Sequence, residues 1–158
     1  MEGMVTWYLD THMQAFDHDF VEDTLARLHR LQNDAQPGDK SETVSAIVDH
    51  LAASLRYTMR RGVQRPVRCT WSARHLWRPL VLWGIVWISP KFDVALPGDA
   101  DAEYDIETLH ALFDEYLGLV QAGELAPPYH PILGDLGVDG WARFHVHHIG
   151  QHVHELSG

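Results

Sequence analysis

The stretch Trp141 to Leu156, WARFHVHHIGQHVHEL, constrains the fold more than any other part of the chain. Wound at about 3.6 residues per turn, it places Val138, Trp141, Ala142, His145, His148, Ile149, His152 and Leu156 on one face. His147 and His154 turn the opposite way. A helix with such an apolar stripe must be covered by other elements. His148 and His152 are four residues apart, so their imidazoles lie one above the other on the covered face. A buried i, i+4 pair is the usual way for one helix to offer two nitrogens to one metal ion. The spacing alone carries little, because five histidines in ten residues generate it by chance. Its place on the apolar face makes the pair a candidate. His145 shares that face one turn earlier and has two readings: a hydrogen-bonded core group, or an acid, base or extra ligand.

Three further segments carry helical periodicity. From Asp17 to about Asp34, Val21, Leu25, Leu28 and Leu31 recur at helical spacing, with acids early and Arg27 and Arg30 late, as the helix dipole favours. Gln36-Pro37-Gly38-Asp39 is the expected stop. Ser41 is the expected cap of a second helix that runs to about Arg61 and ends at Gly62, with Val44, Ile47, Val48, Leu51, Leu55 and Met59 as its stripe. His50 lies at the border of that stripe beside Ala46, Ala53 and Ser54, where it reads either as a half-exposed surface group or as an imidazole with room for a ligand. Asp105 opens a third helix, to about Ala122, that Gly123 ends. The rigid connector Pro127-Pro128-Tyr129-His130-Pro131 leads to the histidine helix, with Asp139 as its expected cap.

Residues 63–104 form an irregular, tryptophan-rich insert, and residues 1–15 an N-terminal arm. Within the insert Ser72 to Ile88 reads as a buried helix or, from Val81, a strand; Pro79 is tolerable only in a first turn, which puts a helix start near Leu76 to Arg78. Its tryptophans are expected in the core or a pocket wall. His18, His29 and His110 are expected in solvent, and Cys69 as a buried or inert thiol.

A chain of 158 residues with 46% hydrophobic and 22% charged side chains is expected to form one all-α domain, an antiparallel four-helix bundle. Twelve basic against twenty-two acidic side chains give −10, which argues against a nucleic-acid partner. The longest apolar run, Leu80 to Ile88, is far short of the roughly 20 residues of a membrane span, and MEGMVTWYLD lacks the apolar core of a secretion signal. One cysteine suits a reducing compartment. The expectation is a cytoplasmic protein without membrane contact.

The segment His130-Pro131-Ile132-Leu133-Gly134, then Trp141, then His148-x-x-x-His152-Val153-His154-Glu155-Leu156, resembles the C-terminal signature of an uncharacterised branch of the DinB-like family. The helix SAIVDHLAASLRYTMRRG is similar to that family's second helix, with His50 at its histidine. The resemblance implies a four-helix bundle with a three-histidine metal site made of His50, His148 and His152. It implies zinc or nickel, a small-molecule substrate such as a thiol, and a homodimer. Gln151 stands where this branch usually has histidine, and Glu155 where it has glutamine. Neither change removes a ligand, and Glu155 is a candidate to orient an imidazole from behind.

Three neutral imidazoles leave a coordination position open, the pattern of catalytic zinc. A divalent-metal enzyme, thiol S-transferase or hydrolase, is therefore one expectation, with His145 and Glu155 as the candidate auxiliary groups. A non-catalytic bundle that binds a metal or small ligand is the other. A ligand sphere closed by a further side chain would favour the second.

Overall fold

The computed structural model describes residues 14–35, 40–95 and 103–158. Within them it has five α-helices and no strand: α1 His18–Asp34, α2 Lys40–Thr58, α3 Arg78–Leu82, α4 Ile106–Ala122 and α5 Gly137–Ser157. Most of the expected arm and the stop Gln36 to Asp39 lie outside the described residues.

Local chemistry sets the helix ends. Asp17 caps α1 by accepting from the Phe20 amide at 2.9 Å, and Asp105 caps α4 by accepting from that of Thr108. Gly123, in the left-handed region at φ 69°, closes α4. Two boundaries differ from expectation. Helix α2 starts at Lys40, ahead of Ser41, and stops at Thr58 with Arg60, not Gly62, taking the left-handed turn at φ 59°. The amide of Arg61 then closes on the Arg56 carbonyl at 2.7 Å. Asp139 does not cap α5; it sits in the first turn, where its charge still suits the dipole, while Asp135 accepts from the Gly137 amide at 3.1 Å.

The periodic stripes of α1, α2 and α4 meet as expected, whereas α5 joins them through Ile149 and, off its expected stripe, Val146 and Val153. Phe20, Val21, Leu25 and Leu28 of α1, Val48, Leu51 and Leu55 of α2, Leu109, Phe113 and Tyr116 of α4, and Val146, Ile149 and Val153 of α5 form one core. Helix α1 packs against α2, α4 and α5, and α2 packs against α4 and α5.

A second core departs from expectation. Tyr57, Val81, Ile88, Phe92, Val94, Leu133, Trp141 and Phe144 cluster on the other side of α5, against which α3 packs. The last helix is thus covered on both sides, and Phe144 to Ile149 are all buried. His147, expected to point away from the core, is 6% exposed, with Nε2 3.2 Å from the Leu82 carbonyl. The reason lies in residues off the predicted stripe: Val146 and Val153 turn to the first core, while Gly140 and Phe144, with Trp141, give α5 a second apolar side.

Within the described part of the insert a helix forms where one was expected, but it is short. A π-helical turn, Ala73–Trp77, runs into α3, closed by the Arg78 amide on the Ala73 carbonyl. Pro79 falls in the first turn of α3, where its missing N–H costs least. The insert's tryptophans are not core groups: Trp71, Trp77, Trp83 and Trp87 are all exposed, whereas Trp141 is fully buried with its indole N–H on the Pro128 carbonyl at 2.8 Å. No helix among the described residues is long and apolar enough to cross a membrane.

Gly84 makes this second core possible. Its φ is +66°, and a β-carbon there would fall 2.5 Å from His147 Cε1. Gly84→Ala is expected to cost about 2 kcal/mol or more, read as a lower urea midpoint. Gly62→Ala serves as the control and should be near neutral, since its nearest neighbour is an ordinary 3.5 Å away.

Candidate metal centre

Helix α2 carries His50 and α5 carries His148 and His152, and the packing of α2 on α5 brings the three together. His148 Nε2 lies 3.0 Å from His50 Nε2 and 3.1 Å from His152 Nε2. Three nitrogens this close repel through their lone pairs unless a proton or a cation lies among them. In a tetrahedral site, metal–nitrogen bonds of about 2.0–2.1 Å set the donors about 3.3 Å apart, close to what is seen.

A fourth donor joins them from the insert. Asp93 Oδ2 is 2.9 Å from His50 Nε2 and 3.8 Å from His148 Nε2. One ligand atom from each of His50, Asp93, His148 and His152 falls within 4.8 Å of the others, so the group could hold a metal ion. His148 is buried, while the side chains of His50, Asp93 and His152 are 23%, 19% and 21% exposed. The cluster is therefore anchored in the core on one side and reaches solvent on the other.

Asp93 was not found by sequence reasoning, because it lies outside any periodic helix. The available signal was its setting as a single acid between two apolar residues, Phe92 and Val94, and the first acid after Asp49. Burial of those neighbours fixes the strand-like path of the chain. Three side chains then hold the backbone. Gln151 donates to the Ile88 carbonyl and accepts from the Ile88 amide, at 3.3 and 2.8 Å. His130 Nε2 lies 2.7 Å from the Phe92 carbonyl. Arg65 donates to the carbonyls of Asp93 and Ala95 at 2.6 and 3.3 Å. Asp93 Oδ1 accepts from the Ala95 amide at 3.0 Å, which leaves Oδ2 to face the imidazoles.

Electrostatics suit a cation. Burial would raise the Asp93 carboxyl, but the imidazoles of His148 and His50 beside it hold it far below the ordinary range, so it is a carboxylate. Burial lowers His148 and takes His152 down to about 3, which keeps these imidazoles neutral and able to donate lone pairs.

The auxiliary candidates separate. Glu155 Oε2 lies 3.4 Å from His152 Nδ1, on the side away from the cluster, and its Oε1 accepts from Gln151 at 3.3 Å. A carboxylate there favours the proton on Nδ1 and leaves Nε2 facing the other donors. His145 is not part of the group. It is fully buried, stacked on Trp141 and bonded through Nε2 to Thr58 Oγ1 at 2.7 Å, and burial lowers it to about 3. Cys69 is exposed, which leaves of its two expected readings the inert thiol and not the buried one.

Compared with models of protein families, with curated proteins and with solved structures, the chain shows no match.

Two predictions follow from the way Asp93 is held. Asp93→Asn should weaken divalent-metal binding by about tenfold or more, and Gln151→Ala should weaken it in the same direction without removing a donor atom. Competition with a chromophoric chelator reads both; unchanged affinity in Asp93→Asn would remove Asp93 from the donor set.

His130 carries a third. It is fully buried, and its Nδ1 accepts from the amides of Ile132 and Leu133, so Nε2 bears the single proton given to Phe92. Burial lowers it from 6.5 to about 4. The unfolded chain then binds more protons in that window, so its contribution is complete above 6.5 and fades as pH falls towards 4. The loss is on the order of 3 kcal/mol. Urea midpoints across this range should fall less steeply in His130→Gln, although that variant starts from lower stability.

Proposed function

We propose that this chain is a divalent-metal enzyme that activates water or a small thiol, a hydrolase or thiol S-transferase, with zinc or nickel held by His50, His148 and His152. The observation that carries the reading is the convergence of three Nε2 atoms and one carboxylate oxygen within 4.8 Å, with three of the four donor side chains reaching solvent. The donor set also supports it. Closed structural zinc is mostly bound by cysteine thiolates, whereas sets of histidine with or without a carboxylate are typical of sites that keep a position for substrate. When bound, such an ion is a Lewis acid that makes a nucleophile of water or a thiol near neutral pH.

The residues divide the work. His148 anchors the site from the core. Glu155 fixes the tautomer of His152, and Asp93 brings the one formal negative charge, leaving a site with a divalent ion at net +1. The DinB-like assignment, with its antiparallel four-helix bundle, belongs to the same proposal; one histidine on α2 and two on α5 is the arrangement the resemblance implies.

A second reading rests on Asp93 itself. Four protein donors can complete a tetrahedral sphere, and the ion would then only tie α2, α5 and the insert together.

Elemental analysis of untagged protein is expected to find about one divalent ion per chain, absent from His50→Ala and His148→Ala. Substitution with cobalt separates the two readings. A visible spectrum that changes on adding azide or a small thiol indicates an open position, and turnover screens with that metal come next. A spectrum indifferent to both makes the ion structural.

A further inference from the structure

The stretch between Asp49 and Asp93 has no acidic residue, yet eight of the chain's twelve Lys and Arg residues fall there. Elsewhere four basic side chains face all twenty-two acidic ones. The net charge of −10 therefore averages two opposite parts.

The same stretch exposes large apolar side chains: Trp71 is 76% exposed, Trp83 55%, Leu76 52% and Ile85 48%. The helical run through the π turn and α3 buries Ala73 and Val81 and turns most of its bulk outward. Some cations are already engaged: Arg61 pairs with Glu115, Arg65 holds the Asp93 and Ala95 carbonyls, and Arg78 donates to the Asp135 carbonyl. Arg68 and Arg74 are exposed, and their guanidinium groups have no partner among the described residues. The Lys91 ammonium lies 4.9 Å from the centre of the Trp77 ring.

We propose that this exposed basic stretch binds the surface of an anionic phospholipid bilayer, lying among the headgroups without crossing. Tryptophan prefers that depth, with its ring in the acyl boundary and its N–H towards water. Arginine beside it meets the headgroup phosphates and carboxylates. Leu76 and Ile85 favour lipid over a nucleic acid, since exposed aliphatic groups gain little from a phosphate backbone and partition into the acyl boundary. A second copy of this stretch would offer Arg68 and Arg74 no carboxylate, since none occurs between Asp49 and Asp93. The acidic remainder of the molecule is repelled by the same membrane, which sets the orientation.

The test is flotation with vesicles of about seven parts phosphatidylcholine to three of phosphatidylserine, against vesicles of phosphatidylcholine alone. The metal-loaded full chain should float with the first, shift its tryptophan emission to shorter wavelength, and stay behind with the second. Raising salt from about 0.1 M to 0.5 M should release much of it. The double variants Arg68→Glu/Arg74→Glu and Trp71→Ala/Leu76→Ala change only exposed side chains, and each should weaken binding by about tenfold or more with unchanged helicity and metal content. Absence of flotation, or flotation that neither double variant weakens, overturns the proposal. So does displacement of vesicles by a single-stranded oligonucleotide, or a dimer that forms through Trp71 and Leu76 and ignores vesicles.

Discussion

Helix α5 is covered on both sides yet carries imidazoles and an amide into the interior, and much of the structure can be understood as the answer to that conflict. A buried polar group without a partner costs about 1–3 kcal/mol. Each group on α5 therefore reaches for a different neighbour. His145 finds Thr58 of α2, His147 the last carbonyl of α3, and Gln151 the backbone of Ile88. His148 finds the donors of the candidate centre. The polar atoms of one helix thus fix the positions of α2, α3 and the insert relative to it.

The candidate centre inherits its geometry from the same arrangement. Two of its imidazoles come from consecutive turns of α5 and the third from the neighbouring helix, so their separation is set by rigid elements. Asp93 comes from chain with little regular structure, and its precision has another source: Gln151, His130 and Arg65 satisfy the backbone on both sides of it. Gln151 is the neighbour of His152 in sequence, yet what it holds is the chain that leads to Asp93. A residue next to one member of the cluster here positions another.

Charge shows how an average can hide a pattern. The whole-chain value describes an acidic protein, while the stretch that supplies Asp93 is basic and exposes its aromatic side chains. The tryptophans expected inside are outside, because the second core is filled by Phe92, Val94, Leu133, Trp141 and Phe144 instead. Bulk and apolarity alone do not say which of several large side chains a limited interior will take.

The sequence by itself determined the long helices, through apolar spacing and end signals such as Asp17, Asp105 and Gly123, because those are local interactions read within a turn or two. It also put His148 and His152 one above the other on a covered face, since helical periodicity decides which side chains share a side; His50, at the border of its stripe, stayed open between surface and site. Only the tertiary structure decided the second buried side of α5, the removal of His145 from the centre, the reach of Glu155 to His152 and the arrival of Asp93. These depend on the path of an aperiodic segment, and that path is set by contacts between residues dozens of positions apart, for which local spacing holds no record.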